Sequence, residues 1–153
     1  MKPAMTDPTS KPRRRFALAL SVAILSAPAT ALATELHVTV TNVRSGDGNV
    51  HVSVYDRPET FAKSSGMLRE QVVKARPTSL EVTFAGLAPG TYAVAAFHDE
   101  NGNRAFDQGF LGLPQEDYGF SNDPAVFLSA PDFRDSAFTI SGDVARVSVR
   151  LQR

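Results

Sequence analysis

The 153-residue chain contains no cysteine. It can therefore form neither a disulfide framework nor a thiolate metal site, and it has no cysteine nucleophile. Common catalytic signatures are also missing from the sequence, which has no G-x-S-x-G, no H-E-x-x-H and no glycine-rich phosphate loop. Outside the cytoplasm the stability of such a chain has to come from packing or from a bound ion.

The chain also has no excess of charge, because 16 Lys and Arg residues balance 16 Asp and Glu residues. Five of the basic residues and one acidic residue lie within residues 1–33, so the remainder carries 11 basic and 15 acidic residues. A mildly acidic protein without a basic patch is not expected to bind nucleic acid, nor to be attracted to anionic lipid by its charge.

The N-terminal residues have the pattern of a cleavable secretory signal peptide. Three arginines at 13–15 precede the apolar stretch "FALALSVAILSAPATALA", which ends in an A-x-A sequence at 31–33. The stretch is short and rich in alanine for a membrane span, so an uncleaved anchor is the less favoured alternative. We predict a signal peptide at 1–33 and a single mature domain at 34–153. The mature protein is expected to be periplasmic or secreted, with no stable membrane span. "RRRF" partly resembles a twin-arginine signal, but we favour the general secretory route.

Alternation of apolar and polar residues with a period of two dominates the rest of the chain. It predicts strands at 36–41, 50–55, 68–75, 79–84, 91–98, 136–140 and 143–151. The turn sequences "RSGDGN" and "SGD" predict that the first two strands form one β-hairpin and the last two another. About seven strands without a long helix indicate an all-β protein, an antiparallel Greek-key β-sandwich of the transthyretin-like or immunoglobulin-like type.

Residues 99–135 form a long irregular segment that is rich in Gly, Pro, Asn and Asp. A segment of this length inside a compact domain is usually either functional or disordered. Its five phenylalanines and one tyrosine argue against disorder. We therefore expect an ordered loop that carries the function.

Three motifs resemble an uncharacterised family of exported bacterial proteins, domain of unknown function 2141. They are "LAPGTYAVAAFHDENGN", "FLGLPQEDYGFSND" and "FRDSAFTI", and the resemblance extends over about residues 35–151. It implies a small secreted β-sandwich and no particular activity, because none is established for the family. The loop of the family usually reads Asp-x-Asn-Gly-Asn-Gly-x-x-Asp, whereas this chain has Arg104 at the second glycine.

Oxygen-bearing groups recur at every second position directly after the strand predicted at 91–98. The candidate metal ligands are Asp99, Asn101, Asn103, the carbonyl of Ala105, and Asp107. Calcium takes about six to eight oxygen ligands, and this spacing matches the first part of a calcium-binding loop. Phe110 stands where a helix–loop–helix site has its bidentate Glu, so affinity depends on Glu116, Asp117 or Asp123 folding back. The alternative is an ordinary polar turn, since Asp, Asn and Gly favour turns.

A second candidate site lies at 113–123. Its residues could line a shallow pocket with aromatic walls for a protein, a glycan or a small ligand. The candidate ligand-binding residues are Glu116, Tyr118, Phe120, Ser121 and Asn122. The alternative is that the aromatic residues close one end of the sandwich, together with Phe127 and Phe133.

The three histidines are the remaining candidates for catalysis or metal binding. His98 adjoins the candidate metal loop and is a weak catalytic candidate as a general base. The alternative is a strand-end histidine with a satisfied hydrogen bond. His37 and His51 are expected on the outer face of the first hairpin, too far apart to share a metal. We therefore favour a non-enzymatic exported binding or structural module, with a Ca²⁺-type ion ordering residues 99–107. The alternative function is a periplasmic hydrolase that uses His98 with Asp99 or Glu116.

Overall fold

The computed structural model describes residues 34–126 and 129–153, which form a mostly β protein. The predicted signal peptide and Phe127 lie outside these residues. The strands are β1 (Thr34–Thr41), β2 (Asn49–Tyr55), β3 (Arg69–Lys74), β4 (Ser79–Leu87), β5 (Gly90–Asp99), β6 (Asp117–Phe120), β7 (Phe138–Ile140) and β8 (Val144–Arg150). The described part has one short helix, α1 (Phe133–Ser136), and 3-10 turns at Pro58–Thr60 and Phe110–Gly112. None of its helices is long and apolar enough to cross a membrane.

The strands form two sheets. One has the order β4-β1-β8, and the other has the order β3-β2-β5-β6, with β7 paired to the beginning of β5. Every pair is antiparallel except β1 and β8, which run parallel. The fold is thus all-β with mostly antiparallel sheets, consistent with the expected β-sandwich. The alternation also locates all seven predicted strands, and the structure adds the short strand β6.

The two hairpin predictions are wrong. β1 and β2 lie in different sheets, and β7 pairs with β5 whereas β8 pairs with β1. Alternation predicts which face of a strand is buried. It does not predict whether two consecutive strands pair in one sheet or lie in opposite sheets across the core. The connection between β1 and β2 crosses the core, and Val43 within it is buried.

The two faces of the five-stranded sheet are covered differently. Tyr92, Val94 and Ala96 of β5 face the main core between the sheets. Ala93 and Ala95 alternate with them and contact a second, mostly aromatic cluster on the outer face. β5 therefore has strands on both sides in the sheet and a cluster on each face, as the sequence predicts for a central strand.

Candidate functional site

The candidate metal loop begins at the end of β5, where the Asp99 side chain is fully buried. Its Oδ1 accepts hydrogen bonds from the backbone N–H groups of Gly102 at 2.7 Å and Asn103 at 3.1 Å. Its Oδ2 accepts one from Arg104 at 2.8 Å. The loop wraps around this carboxylate through the left-handed residues Gly102 (φ 75°) and Arg104 (φ 64°). The left-handed backbone at position 104 explains why the resembling family usually has glycine there, because glycine adopts this conformation most easily.

The environment of Asp99 favours its charged form. Burial raises the pKa of this carboxyl, but the N–H groups of Arg104, Gly102 and Asn103 lower it more, with a further contribution from His51. The net result is a lowered pKa. Asp99 is therefore a permanent negative charge beneath the loop at neutral pH.

The other side chains of the predicted set meet above Asp99. The amide nitrogen of Asn101 donates to an Asp107 carboxylate oxygen at 2.6 Å, and that of Asn103 donates to the two oxygens at 3.0 and 2.9 Å. The amide oxygen of Asn101 accepts the N–H of Asn103, and that of Asn103 accepts the N–H of Ala105. The structure thus gathers these residues in one loop. Its Asn amide oxygens bond the backbone, as the turn alternative expects, and its amide nitrogens face Asp107.

One carboxylate does fold back onto this loop, and it is Glu116. The side chain is only 4% exposed, and its Oε2 accepts the backbone N–H of Asp107 at 3.0 Å. Its Oε1 has no hydrogen-bond partner among residues 34–126 and 129–153. Burial raises the pKa of Glu116, and the charges of Asp107 and Asp99 raise it further, against the opposing effects of the Asp107 N–H and His51. Three carboxyl groups therefore interact at the base of the loop.

The other two carboxylates considered for this role do not join the loop. Asp117 is buried and forms a two-point ion pair with Arg44, whose Nη2 lies 2.6 Å from Oδ1. Arg153 lies 3.5 Å from the same carboxylate. Asp123 is exposed and follows β6. Only Glu116 thus supplements the predicted ligand set.

His51 belongs to the same site, which the sequence did not indicate. Its ring on β2 is 4% exposed and stacks on Phe97, with ring centroids 4.5 Å apart. Its Nε2 lies 3.5 Å from Asp99 Oδ2, and its Nδ1 lies 3.1 Å from Glu70 Oε1. His51 is directly opposite Phe97 in the β2–β5 register. His51 faces away from the main core, but the hairpin on whose outer face it was predicted is not formed, and its contacts could be found only once β2 was known to pair with β5.

His98, the weak catalytic candidate, lies on the other face of β5. It is opposite Val50, a core residue, and its ring is fully buried. Its Nε2 is 2.8 Å from the Asp47 carbonyl oxygen, as the strand-end alternative expects. The structure therefore does not bring the His98 ring together with Asp99 and Glu116.

The candidate ligand-binding residues serve different parts of the structure. Tyr118 and Phe120 lie on β6 and pack edge-to-face, with ring centroids 5.9 Å apart. They continue an aromatic layer over the outer face of the sheet, which also contains Tyr55, Phe61, Phe97, Phe106 and Phe133. This arrangement agrees with the packing alternative, while Glu116 contacts the candidate metal loop at 99–107, which we call the acidic loop from here on.

Ser121 and Asn122 connect the end of β6 to its surroundings. The Ser121 hydroxyl accepts the N–H of Val94 at 2.9 Å and donates to the Ser136 carbonyl. The Asn122 amide donates to the Ala137 carbonyl at 2.8 Å. Both side chains thus bond the backbone around α1, and they do not share a pocket with Glu116.

A further exposed feature follows the metal loop. Phe110 is 86% exposed, Leu111 80% and Leu113 54%. From the sequence, Phe110 was interpreted only as a missing metal ligand. An apolar run in a polar loop was the available signal, because large apolar side chains in loops are usually covered.

The comparisons with known proteins identify a family and nothing more specific. A family model described as "Uncharacterized protein conserved in bacteria (DUF2141)" matches residues 38–148. A search of curated proteins and a search of solved structures each found no match. The family match spans both sheets and the whole acidic loop, and it agrees with the resemblance seen in the motifs. The chain belongs to the DUF2141 family of uncharacterised proteins conserved in bacteria.

Proposed function

We propose that this protein is an exported β-sandwich module that binds a partner, and that a Ca²⁺-type ion orders its loop at residues 99–107. The observation that carries the ion proposal is the Glu116 carboxyl. It is almost fully buried, its Oε1 has no partner in the described chain, and the charges of Asp99 and Asp107 act on it. A buried carboxylate without compensation is costly, and a hard cation bound beside Glu116 would remove that cost.

The ligands proposed for the ion are oxygens of the loop together with Glu116. They comprise the side chains of Asp99, Asn101, Asn103 and Asp107, the Ala105 carbonyl, and Glu116. The two Asn amides would turn over on binding, because calcium accepts oxygen ligands and their nitrogens now face Asp107. The backbone bonds around Asp99 support the loop in either arrangement.

The ion proposal is tested by thermal unfolding in chelator and in about 10 mM calcium. For a site with a Kd of about 0.1–1 mM, the gain in stability is roughly 1.5–3 kcal/mol. That gain corresponds to a rise in Tm of roughly 5–10 °C. Asp107→Asn removes the rise, and Glu59→Gln, which changes an exposed carboxylate remote from the loop in sequence, retains it. Equal melting temperatures of the wild-type protein in the two buffers overturn the ion proposal.

Export and strand connectivity complete the proposal. We infer that residues 1–33 are removed as a signal peptide and that the mature protein is periplasmic or secreted. The sequence pattern before Thr34 supports this. Support for a Greek-key connection comes from sheet neighbours that are not consecutive, since β1 lies between β4 and β8. N-terminal sequencing of the exported protein tests the cleavage position.

The hydrolase alternative has less support from the geometry. His98 would have to act with Asp99 or Glu116, but its ring lies on the core side of β5 and contacts the Asp47 carbonyl. Screening ester, amide and glycoside substrates with wild-type protein and His98→Ala decides between the two functions. A turnover that disappears in a folded His98→Ala variant would favour the enzyme.

A further inference from the structure

A small closed turn rises from the acidic loop. We call residues 108–115 the apolar tip. The backbone N–H of Gln115 donates to the Asp107 carbonyl at 2.9 Å, and the N–H of Gly109 donates to the Leu113 carbonyl at 2.8 Å. Within the turn, the N–H of Gly112 donates to the Gly109 carbonyl at 3.1 Å. The apolar tip is therefore a defined structure held by its own backbone hydrogen bonds.

The apolar tip presents its large side chains outward. Phe110 and Leu111 are 86% and 80% exposed, and Leu113 is 54% exposed. Leu111 has a φ of 61°, in the left-handed region that L-residues with large side chains rarely adopt. An exposed apolar residue in a disfavoured conformation gains nothing from packing within the chain. Such a combination indicates a surface that contacts something else.

The apolar tip carries no charge of its own. Its sequence "QGFLGLPQ" contains no charged residue. Of the two carboxylates that flank it in sequence, Glu116 is buried, and Asp107 is half-buried and accepts from the two Asn amides. A partner that contacts the tip itself therefore meets uncharged apolar side chains, which suits the apolar layer of a bilayer.

We propose that the apolar tip inserts into the interface of a phospholipid bilayer. A bilayer accepts a projecting turn without a matching pocket, and Phe and Leu side chains are typical of segments that enter the headgroup–acyl boundary. Backbone groups that enter apolar surroundings must be hydrogen-bonded internally, and the turn provides this for the N–H groups of Gly109, Gly112 and Gln115. Insertion depends on apolar contact and not on a basic patch, and it requires no ion in the loop below.

The direct test uses Phe110→Trp in the full-length chain. The sequence contains no tryptophan, so the new residue is the sole indole fluorophore. With vesicles of phosphatidylethanolamine and phosphatidylglycerol, we expect its emission to shift to shorter wavelength and to be quenched by lipids brominated in the acyl chain. Leu68→Trp places the probe at a position that is 41% exposed next to β3, away from the tip in sequence. Its emission should not respond to the same vesicles.

The matched binding experiment compares wild-type protein with Leu111→Asp by vesicle sedimentation. Residues 1–33 are identical in both proteins, so a difference between them comes from the apolar tip. Withdrawal of one large apolar side chain corresponds to roughly a tenfold to hundredfold loss in the partition coefficient. The Tm of the variant should stay within about 2 °C of wild type, because Leu111 is exposed.

Three results overturn the proposal. The first is Phe110→Trp emission that does not change with vesicles. The second is Leu111→Asp that sediments with vesicles as wild type does. The third is a concentration-dependent dimer in sedimentation velocity that Leu111→Asp dissociates, which would assign the apolar tip to a second copy of the chain. Since all three readouts are measured in chelator, they are independent of the outcome of the calcium experiment.

Discussion

The two faces of the five-stranded sheet carry different chemistry on the same strands. On β2, Val52 is fully buried in the aliphatic core between the sheets, while its neighbour His51 is buried on the outer face. On β5, Val94 faces the aliphatic core, while Asp99 faces His51 at 3.5 Å. Both faces exclude water, but His51 and Asp99, the buried titratable pair of the candidate site, meet on the outer face. The inner face therefore accounts for stability, and the outer face accounts for the candidate site.

The outer face also shows that burial alone does not set a carboxyl pKa. Asp99 and Glu116 are both almost inaccessible, yet the pKa of Asp99 is lowered and that of Glu116 is raised. Asp99 accepts three backbone N–H groups, whereas Glu116 accepts one and has a second oxygen without a partner in the described chain. Backbone N–H donors stabilise the charged form of Asp99, whereas the nearby charges of Asp107 and Asp99 disfavour the charged form of Glu116.

The largest loss of folding stability is expected from a substitution on the inner face. Val52→Ala removes two methyl groups from a fully buried site and should lower the free energy of unfolding by about 2–3 kcal/mol. Since only aliphatic contacts are lost, the loss should be the same at pH 4 and pH 7, and the same in calcium and in chelator. Urea unfolding measures it. A loss that varies with pH by more than about 1 kcal/mol would break the distinction between the two faces.

An intermediate effect is expected at Asp99. Asp99→Asn places an amide N–H against a backbone N–H of the loop, so we expect a loss of about 2 kcal/mol at pH 7 in chelator. Because the folded pKa is below its ordinary value of 3.8, the contribution of Asp99 is present above that pH and is lost as the pH falls through the folded pKa. The difference between wild type and variant should therefore shrink in acid. Chemical unfolding between pH 2.5 and 7 measures it, and a pH-independent difference would contradict this account.

The smallest change in stability is expected at Glu116, where the substitution should raise the free energy of unfolding. Glu116→Gln keeps the acceptor for the Asp107 N–H and removes a charge that burial disfavours. The folded pKa of Glu116 is above its ordinary value of 4.5, so its contribution is present below that pH and is lost as the pH rises through the folded pKa. In chelator at pH 7 the variant should be more stable than wild type by about 1 kcal/mol.

Calcium should reverse this order of stability. If Glu116 is a ligand, wild-type protein gains stability from calcium and Glu116→Gln gains less, so that the variant loses its advantage. Melting curves of both proteins in chelator and in calcium measure the reversal. Glu59→Gln is the control, because it removes an exposed carboxylate. If Glu116→Gln is less stable than wild type in chelator, groups in the loop already stabilise the charge of Glu116.

The sequence predicted the strands well because alternation reports directly on burial. Leu36, Val38 and Val40 are all fully buried, as their period of two requires. Strand β6 was not predicted, since four residues that contain a glycine show too little alternation. The hairpins were wrong because a short polar connection fits both a hairpin and a crossing between sheets.

The loop was found from its composition, but its chemistry was not. The Asp and Asn rhythm at 99–107 indicated a polar loop, and the structure wraps that loop around Asp99. Glu116 was named both as a ligand-binding residue and as one of three carboxylates that could fold back onto the loop, whereas His51 was assigned to no site, because both reach the loop through strand pairing and chain reversal. No local pattern at 51 or 116 indicates those contacts.

Seven of the eight strands, the apolar side of each of them and the start of the polar loop can be read from the sequence. These properties depend on neighbours along the chain, and alternation and turn composition record them. Strand pairing, and with it the meeting of His51, Asp99 and Glu116, depends on the complete fold. The physical reason is that apolar faces of similar shape can cover one another in several arrangements, and packing of the complete set selects among them.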